Sequence, residues 1–178
     1  SLRGLDDSSY YRHLSPTEYE DVTGCGNTLD SQNPNTIHLI VDSLRWWSEV
    51  IGIDGFRFDL TTAISRTGDQ IDANSPLITA ITSDPILQKR KLIAEPWDTK
   101  GYALGLFSNP WREWNDTYRD SVRQFWLADL ASNSRSGVAR LASRVAGSDD
   151  VFTGRGPTSS INFITAHDGF TLHDLVTY

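Results

Sequence analysis

The sequence predicts an α/β fold in which short parallel strands are joined by crossover helices. Two observations carry this. Stretches with helical periodicity alternate with short, apolar, β-rich runs. Three of those runs, "IDGFRFDL", "LIAEPW" and "INFITAHD", end in charge, and parallel architectures keep their working residues at the C-terminal ends of strands. No internal repeat or low-complexity segment competes with this pattern.

Residues 1–33 read as loop, since "DVTGCGNTLDSQNP" is dense in turn formers and shows no period. A helix then starts at Pro34 with Asn33 as its cap. Ile37, Ile40, Val41, Leu44, Trp47 and Val50 recur at helical spacing, and Gly52 is the natural stop. "IDGFRFDL" follows as a strand. "TTAISRTGDQIDANSP" reads as loop, and Leu77, Ile78 and Ile81 make a short helix opened by Pro76. "KLIAEPW" is the second strand, ended by Pro96. Residues 98–115 read as a long irregular loop with Trp111 and Trp114. Helices are expected over about 116–128 and 136–146. "INFITA" is a further strand, and "TLHDLVTY" opens a last helix.

Composition narrows the function classes. With 38% hydrophobic and 22% charged residues, the 178-residue chain has a soluble globular composition. No apolar run approaches the roughly 20 residues that span a bilayer, and no signal peptide is visible at the start. Sixteen basic against 23 acidic residues give a net charge of −7, with no basic stripe to neutralise phosphates, so neither nucleic acid nor membrane is expected as a partner. A single cysteine excludes an internal disulfide and points to a reducing compartment. The chain has no methionine, which reads as a start inside a longer protein, and six tryptophans, which read as core anchors or stacking platforms.

Alternation along "IDGFRFDL" sets Arg57 and Asp59 on one face and Phe56 and Phe58 on the other. A guanidinium beside an aspartate favours the carboxylate, and a rigidly held carboxylate is a nucleophile for an electrophilic carbon; the same pair also reads as a structural ion pair. In "LIAEPW" an apolar strand ends in Glu95 against Trp97. A carboxyl group on an aromatic wall suits a general acid, while a glutamate opening a surface loop is the plain alternative. "FITAHDGF" ends in His167 and Asp168, where the aspartate also reads as a helix cap. If these strand ends converge on one rim, two carboxylates flanking a scissile bond are what glycoside cleavage needs. The Arg and His among the acids disfavour a dedicated metal cage. Cys25 reads as an incidental thiol. Trp47 and Trp126 read as core, His13 and His38 as surface, and His173 as solvated.

These residues resemble a known family. "DGFRFDL", "IAEPWD" and "NFITAHDGFTLHDLVTY" are similar to three signature regions of the α-amylase superfamily of glycoside hydrolases. "SLRGLDDSSYY", "GCGNTLDSQNP", "EWNDTYRDSVRQFW" and "GRGPTSSINFITAHDGFTL" resemble its bacterial glycogen debranching and isoamylase members. The resemblance implies a partial (β/α)8 TIM barrel, roughly strands 4 to 7 with a short strand six near "EWN", because a complete barrel takes about 250 residues. It implies residues 1–178 are one incomplete catalytic domain without the first signature region, inactive on its own. It implies cleavage of α-1,6 branch linkages in glycogen or limit dextrins with retention, in the cytoplasm and with no cofactor. Asp59 would be the nucleophile and Glu95 the general acid and base. Asp168 and His167 would bind sugar hydroxyls, and Arg57 would orient Asp59. Asn27, Trp97 and Trp114 would line the branch-accepting cleft. Transglycosylation is the alternative within the same chemistry. A non-catalytic glucan-binding module and a metal-dependent enzyme are those outside it.

Overall fold

The computed structural model describes residues 2–129, 132 and 137–177. They form two compact units, Ser1–Trp111 and Arg112–Tyr178.

The first unit begins with a kinked helix, α1 (Arg3–Tyr10), whose break at Asp6 leaves it without a buried residue. A small hairpin follows, β1 (His13–Ser15) and β2 (Glu18–Tyr19). Helix α2 (Pro34–Trp46) begins as the sequence predicts. The Asn33 side chain accepts a 2.9 Å hydrogen bond from the Asn35 N–H, and proline occupies the first turn. Gly52 stops the helical stretch in the left-handed region at φ 81°. Strand β3 (Gly55–Phe58) then leads into α3 (Thr61–Ile64), the ribbon β4 (Arg66–Thr67) and β5 (Gln70–Ile71), α4 (Pro76–Ser83) and β6 (Lys91–Ala94).

Strands β3 and β6 pair in parallel, Gly55 opposite Lys91 through Phe58 opposite Ala94. Gly55 is required by that closeness, because a Cβ there would lie 2.5 Å from the Lys91 backbone oxygen. One apolar core cements this pair to the helices. Val41 of α2, Leu77, Ile78 and Ile81 of α4, and Phe58, Leu92 and Ala94 of the strands all pack in it with Leu87, Phe107 and Trp111. Trp111 is its keystone. Its ring lies 5.0 Å from Phe58 and 6.0 Å from Phe107, and its indole N–H donates to Thr82 Oγ1 at 2.8 Å.

The second unit contains β7 (Arg112–Asn115), α5 (Asp116–Arg123), α6 (Val138–Val145), β8 (Ser160–Asn162) and α7 (Asp174–Thr177). Strands β7 and β8 are again parallel, Glu113 opposite Ser160 and Asn115 opposite Asn162. Asn115 is fully buried and ties the unit together. Its Oδ1 accepts from Tyr118 N and Thr117 Oγ1 as the cap of α5, while its Nδ2 donates to Ser148 and Ser160 hydroxyls at 2.9 Å. Glu113, also fully buried, pairs with Arg155.

Several expectations change. Residues 1–33 are not all loop, since α1, β1 and β2 lie there, and the stretch after Leu60 holds α3, β4 and β5. Trp47 and Trp126 are not core but 45% and 61% exposed. Both sit where an α-helix gives way to a π-type stretch, Trp47–Ile51 and Gln124–Asp129, so the helical period that placed them in the core ends there. His13 is half-buried rather than on the surface, its ring 4.6 Å from Tyr19 and its Nε2 3.3 Å from Asp7. The expected start of the fourth helix, residue 136, and the last residue, 178, lie outside the described residues. Among the described residues, no helix is long and apolar enough to cross a membrane.

Candidate active site

The parallel register that sets Phe58 opposite Ala94 carries the next residue of each strand, Asp59 and Glu95, off the same end of the pair. Arg57 reaches both. Its Nη1 donates to Asp59 Oδ1 at 2.7 Å, and its Nη2 lies 2.8 Å from Glu95 Oε2. A guanidinium is a rigid planar fork, so this one spaces the two acids across its own width.

The two carboxyl groups differ sharply in environment. Glu95 is only 3% exposed, whereas the Asp59 side chain is 71% exposed. Burial raises the Glu95 carboxyl above its ordinary value of 4.5. A hydrogen bond from the Leu60 N–H, 2.8 Å from Oε2, and the Arg57 charge pull against that rise. The negative charge of Asp59 and a hydrogen bond between the two acids push the same way as burial. The outcome is a buried carboxyl group raised above its ordinary value beside an exposed one paired to the same arginine.

The turn after Asp59 shapes this arrangement. Leu60 sits in the left-handed region at φ 41°, ψ 57°, unusual for a bulky residue. Neither Leu60 nor Thr61 stood out in the sequence, since nothing local marks a left-handed leucine.

A cleft of about 300 Å³ opens beside Asp59, walled by Thr23, Cys25, Asn27, Thr28 and Leu29 on one side and by Leu60, Ala63 and Ile64 on the other. The structure thus brings Asn27 to the same cleft as Asp59. The wall is stiffened by Asp21, whose carboxylate accepts N–H bonds from Thr23, Gly24 and Gly26. Trp97 is outside this lining and makes a backbone bridge with Tyr102.

The remaining predicted residues belong to the second unit. His167 and Asp168 are exposed and follow β8 after a short connection. The His167 ring lies 6.1 Å from Trp114, whose own ring lies 5.2 Å from Phe163. Asp168 borders a pocket of about 300 Å³ with Arg119, Arg123 and Phe163. Among the described residues, no cluster of three or more His, Cys, Asp or Glu side chains is arranged to hold a metal ion.

Solved structures share the fold. The pullulanase of Bacillus acidopullulyticus superposes with a TM-score of 0.77 at 23% identity, covering 98% of this chain and 22% of that one. A pullulanase of Anoxybacillus sp. complexed with maltotriose gives 0.70 at 25% identity, covering 93% of this chain and 24% of that one. The class is therefore the α-amylase-type α/β barrel, present here as a part of it.

The sequence relatives narrow the class further: this chain is related along its whole length to the glycogen debranching enzymes. It is 45% identical to the glycogen operon protein GlgX homolog of Mycobacterium tuberculosis over 184 aligned residues, covering 100% of this chain and 25% of the relative. It is 48% identical to the glycogen debranching enzyme of Pectobacterium carotovorum over 180 residues, covering 99% and 26%. The chain spans about a quarter of the length of the curated relatives it matches. No protein-family model matches it.

Proposed function

We propose that this chain is part of the catalytic barrel domain of a retaining glycoside hydrolase that cleaves α-1,6 branch linkages in glycogen or its limit dextrins. The observation that carries the reading is the shared guanidinium: two carboxyl groups at the ends of adjacent parallel strands, one open and one buried with its proton favoured. A buried carboxyl group whose pKa is raised, beside an exposed one, suits a division into acid and nucleophile. A short separation between them suits a double displacement.

The steps follow from that division. An Asp59 carboxylate oxygen attacks the anomeric carbon while the glycosidic bond breaks and Glu95 gives its proton to the departing oxygen. A glycosyl ester on Asp59 results. Glu95, now ionised, takes a proton from water, which opens the ester and restores both acids. Arg57 keeps Asp59 aimed through its 2.7 Å contact. Asp168 and His167 are read as hydrogen-bonding groups for sugar hydroxyls. Asn27 is read as part of the wall that receives the branch, and Trp114 and Trp97 as aromatic faces for sugar rings. The names of the sequence relatives, and pullulanases solved with maltotriose or maltotetraose, favour hydrolysis of a branched α-glucan over transfer to a second glucan. Glycogen as substrate carries a cytoplasmic location with it, which cell fractionation checks.

The test is product analysis with the protein that carries this sequence. Linear chains should be released from a branched limit dextrin, with the first product keeping the α configuration by NMR. A slow 2-fluoro glycosyl substrate should leave its mass on Asp59. Inverted product, or attack confined to linear chains, would remove the reading.

A further inference from the structure

The two residues after Asp59 grip Glu95 at three points. The Leu60 N–H donates to the Glu95 carboxylate at 2.8 Å. The Thr61 N–H donates to the Glu95 carbonyl at 2.9 Å. The Glu95 N–H donates to Thr61 Oγ1 at 3.0 Å, and the same hydroxyl donates to the Phe58 carbonyl at 2.9 Å. Thr61 is fully buried, so neither bond is exchanged with solvent. A valine would match its shape but could make neither hydroxyl bond.

From this geometry we infer that Thr61 is a positioning residue that fixes the acid relative to the nucleophile. The inference rests on reading Glu95 as the acid. Asp59, Leu60 and Thr61 are consecutive, so a covalent run of three residues sets the distance from Asp59 to the groups that hold Glu95. A side-chain contact alone would leave that distance free to vary with rotamer. The strained turn at Leu60 has a use on this account. Its left-handed backbone aims the N–H at Oε2, and the Thr61 bonds on either side of the Glu95 main chain keep that turn from relaxing. A buried Ser/Thr hydroxyl bonded to a nearby carbonyl is common in proteins. What sets Thr61 apart is that it binds the backbone of the proposed acid on both sides.

Loosening this grip should harm proton donation more than attack. The comparison is therefore between substrates that differ in their need for a proton. Cleavage of an α-1,6 branch expels a sugar alkoxide and needs the acid, whereas α-maltosyl fluoride expels fluoride and does not. The constant kcat/KM reports the steps up to the glycosyl ester. In the protein that carries this sequence, Thr61→Val should lower kcat/KM on a branched dextrin by about 10- to 100-fold, the range expected for misplacement near 1 Å, and should change that on α-maltosyl fluoride far less. Thr61→Ser, which keeps the hydroxyl, should recover most of the loss. The alkaline limb of the pH profile should move upward in Thr61→Val, because a weakened Leu60 bond favours the protonated Glu95.

Thr61→Ala provides the same comparison if the valine variant does not accumulate folded. Equal losses on both substrates, or a serine variant as impaired as valine, would overturn the inference. Glu95→Gln, measured alongside, separates the two claims. If Glu95→Gln discriminates between the substrates and Thr61→Val does not, Thr61 has no such role and the acid assignment stands. If Glu95→Gln does not discriminate, the acid assignment falls and this inference falls with it.

Discussion

Glu95 and Asp59 share one guanidinium but not one environment: the first is sealed in protein, the second stands open to a cleft. Geometry and burial here come from different sources. The parallel register delivers both acids to the same end of the strand pair, and the turn at Leu60 closes over only one of them. The difference in burial between the two acids is therefore built into the backbone.

Arg57 should prove hard to replace even by lysine. An ammonium is a single point, while the observed contacts use two nitrogens of a planar fork. Arg57→Lys is expected to cost roughly 100-fold in turnover. Arg57→Ala removes a charge that lowers the Glu95 carboxyl, so its alkaline limb should move to higher pH. Steady-state rates across pH check both statements, and an unshifted limb would count against the shared clamp.

Glu95 should also leave a mark on stability. Its folded carboxyl is raised above the ordinary 4.5, so the native state holds this proton more tightly than the unfolded chain does. That contribution is complete below 4.5 and is lost as pH rises through the folded value. Glu95→Gln has no such proton to lose. Its melting temperature relative to wild type should therefore climb as pH increases across that window and then level off. Parallel melting curves at all pH values would show that Glu95 is not raised.

The core has one side chain whose loss should be felt most. Trp111 contacts two aromatic rings and satisfies its N–H on Thr82. Trp111→Ala should destabilise by about 3–5 kcal/mol, seen as a lower urea midpoint. The loss should reach the site indirectly, because Phe58 both packs on Trp111 and accepts from Thr61.

Arg66 and Asp98 form a buried pair of 2.7 Å, with the arginine also donating to the Asp69 carbonyl. Arg66→Ala would leave Asp98 buried and uncompensated, a change expected to cost about 3–5 kcal/mol. Arg66→Met combined with Asp98→Leu should recover much of it. Denaturation of the single and double variants gives the coupling directly, and additive losses would mean that the two side chains are not paired in solution.

What the sequence made legible was whatever left a local trace. Asn33 and Pro34 announce α2, Pro76 opens α4, and charge at the end of an apolar run picks out Asp59 and Glu95. The kinked α1 left no trace because it buries nothing and so has no period. Trp47 and Trp126 misled because each falls where an α-helix gives way to a π-type stretch, a change that composition does not mark. The sealing of Glu95 was equally hidden. It depends on a left-handed Leu60 and a buried Thr61 hydroxyl, both fixed by contacts across about 35 positions of chain. The aromatic company of His167 is likewise a property of the folded second unit, where Trp114 on β7 and Phe163 after β8 meet.

Cys25 lies exposed on the rim of the cleft that holds Asp59, and it is the chain's one cysteine. The protein thus comes with a ready attachment point for a reporter. A maleimide fluorophore would bond there without any engineered thiol in this sequence, and its emission would register a sugar chain arriving beside Asp59 while the chemistry itself was blocked by Glu95→Gln.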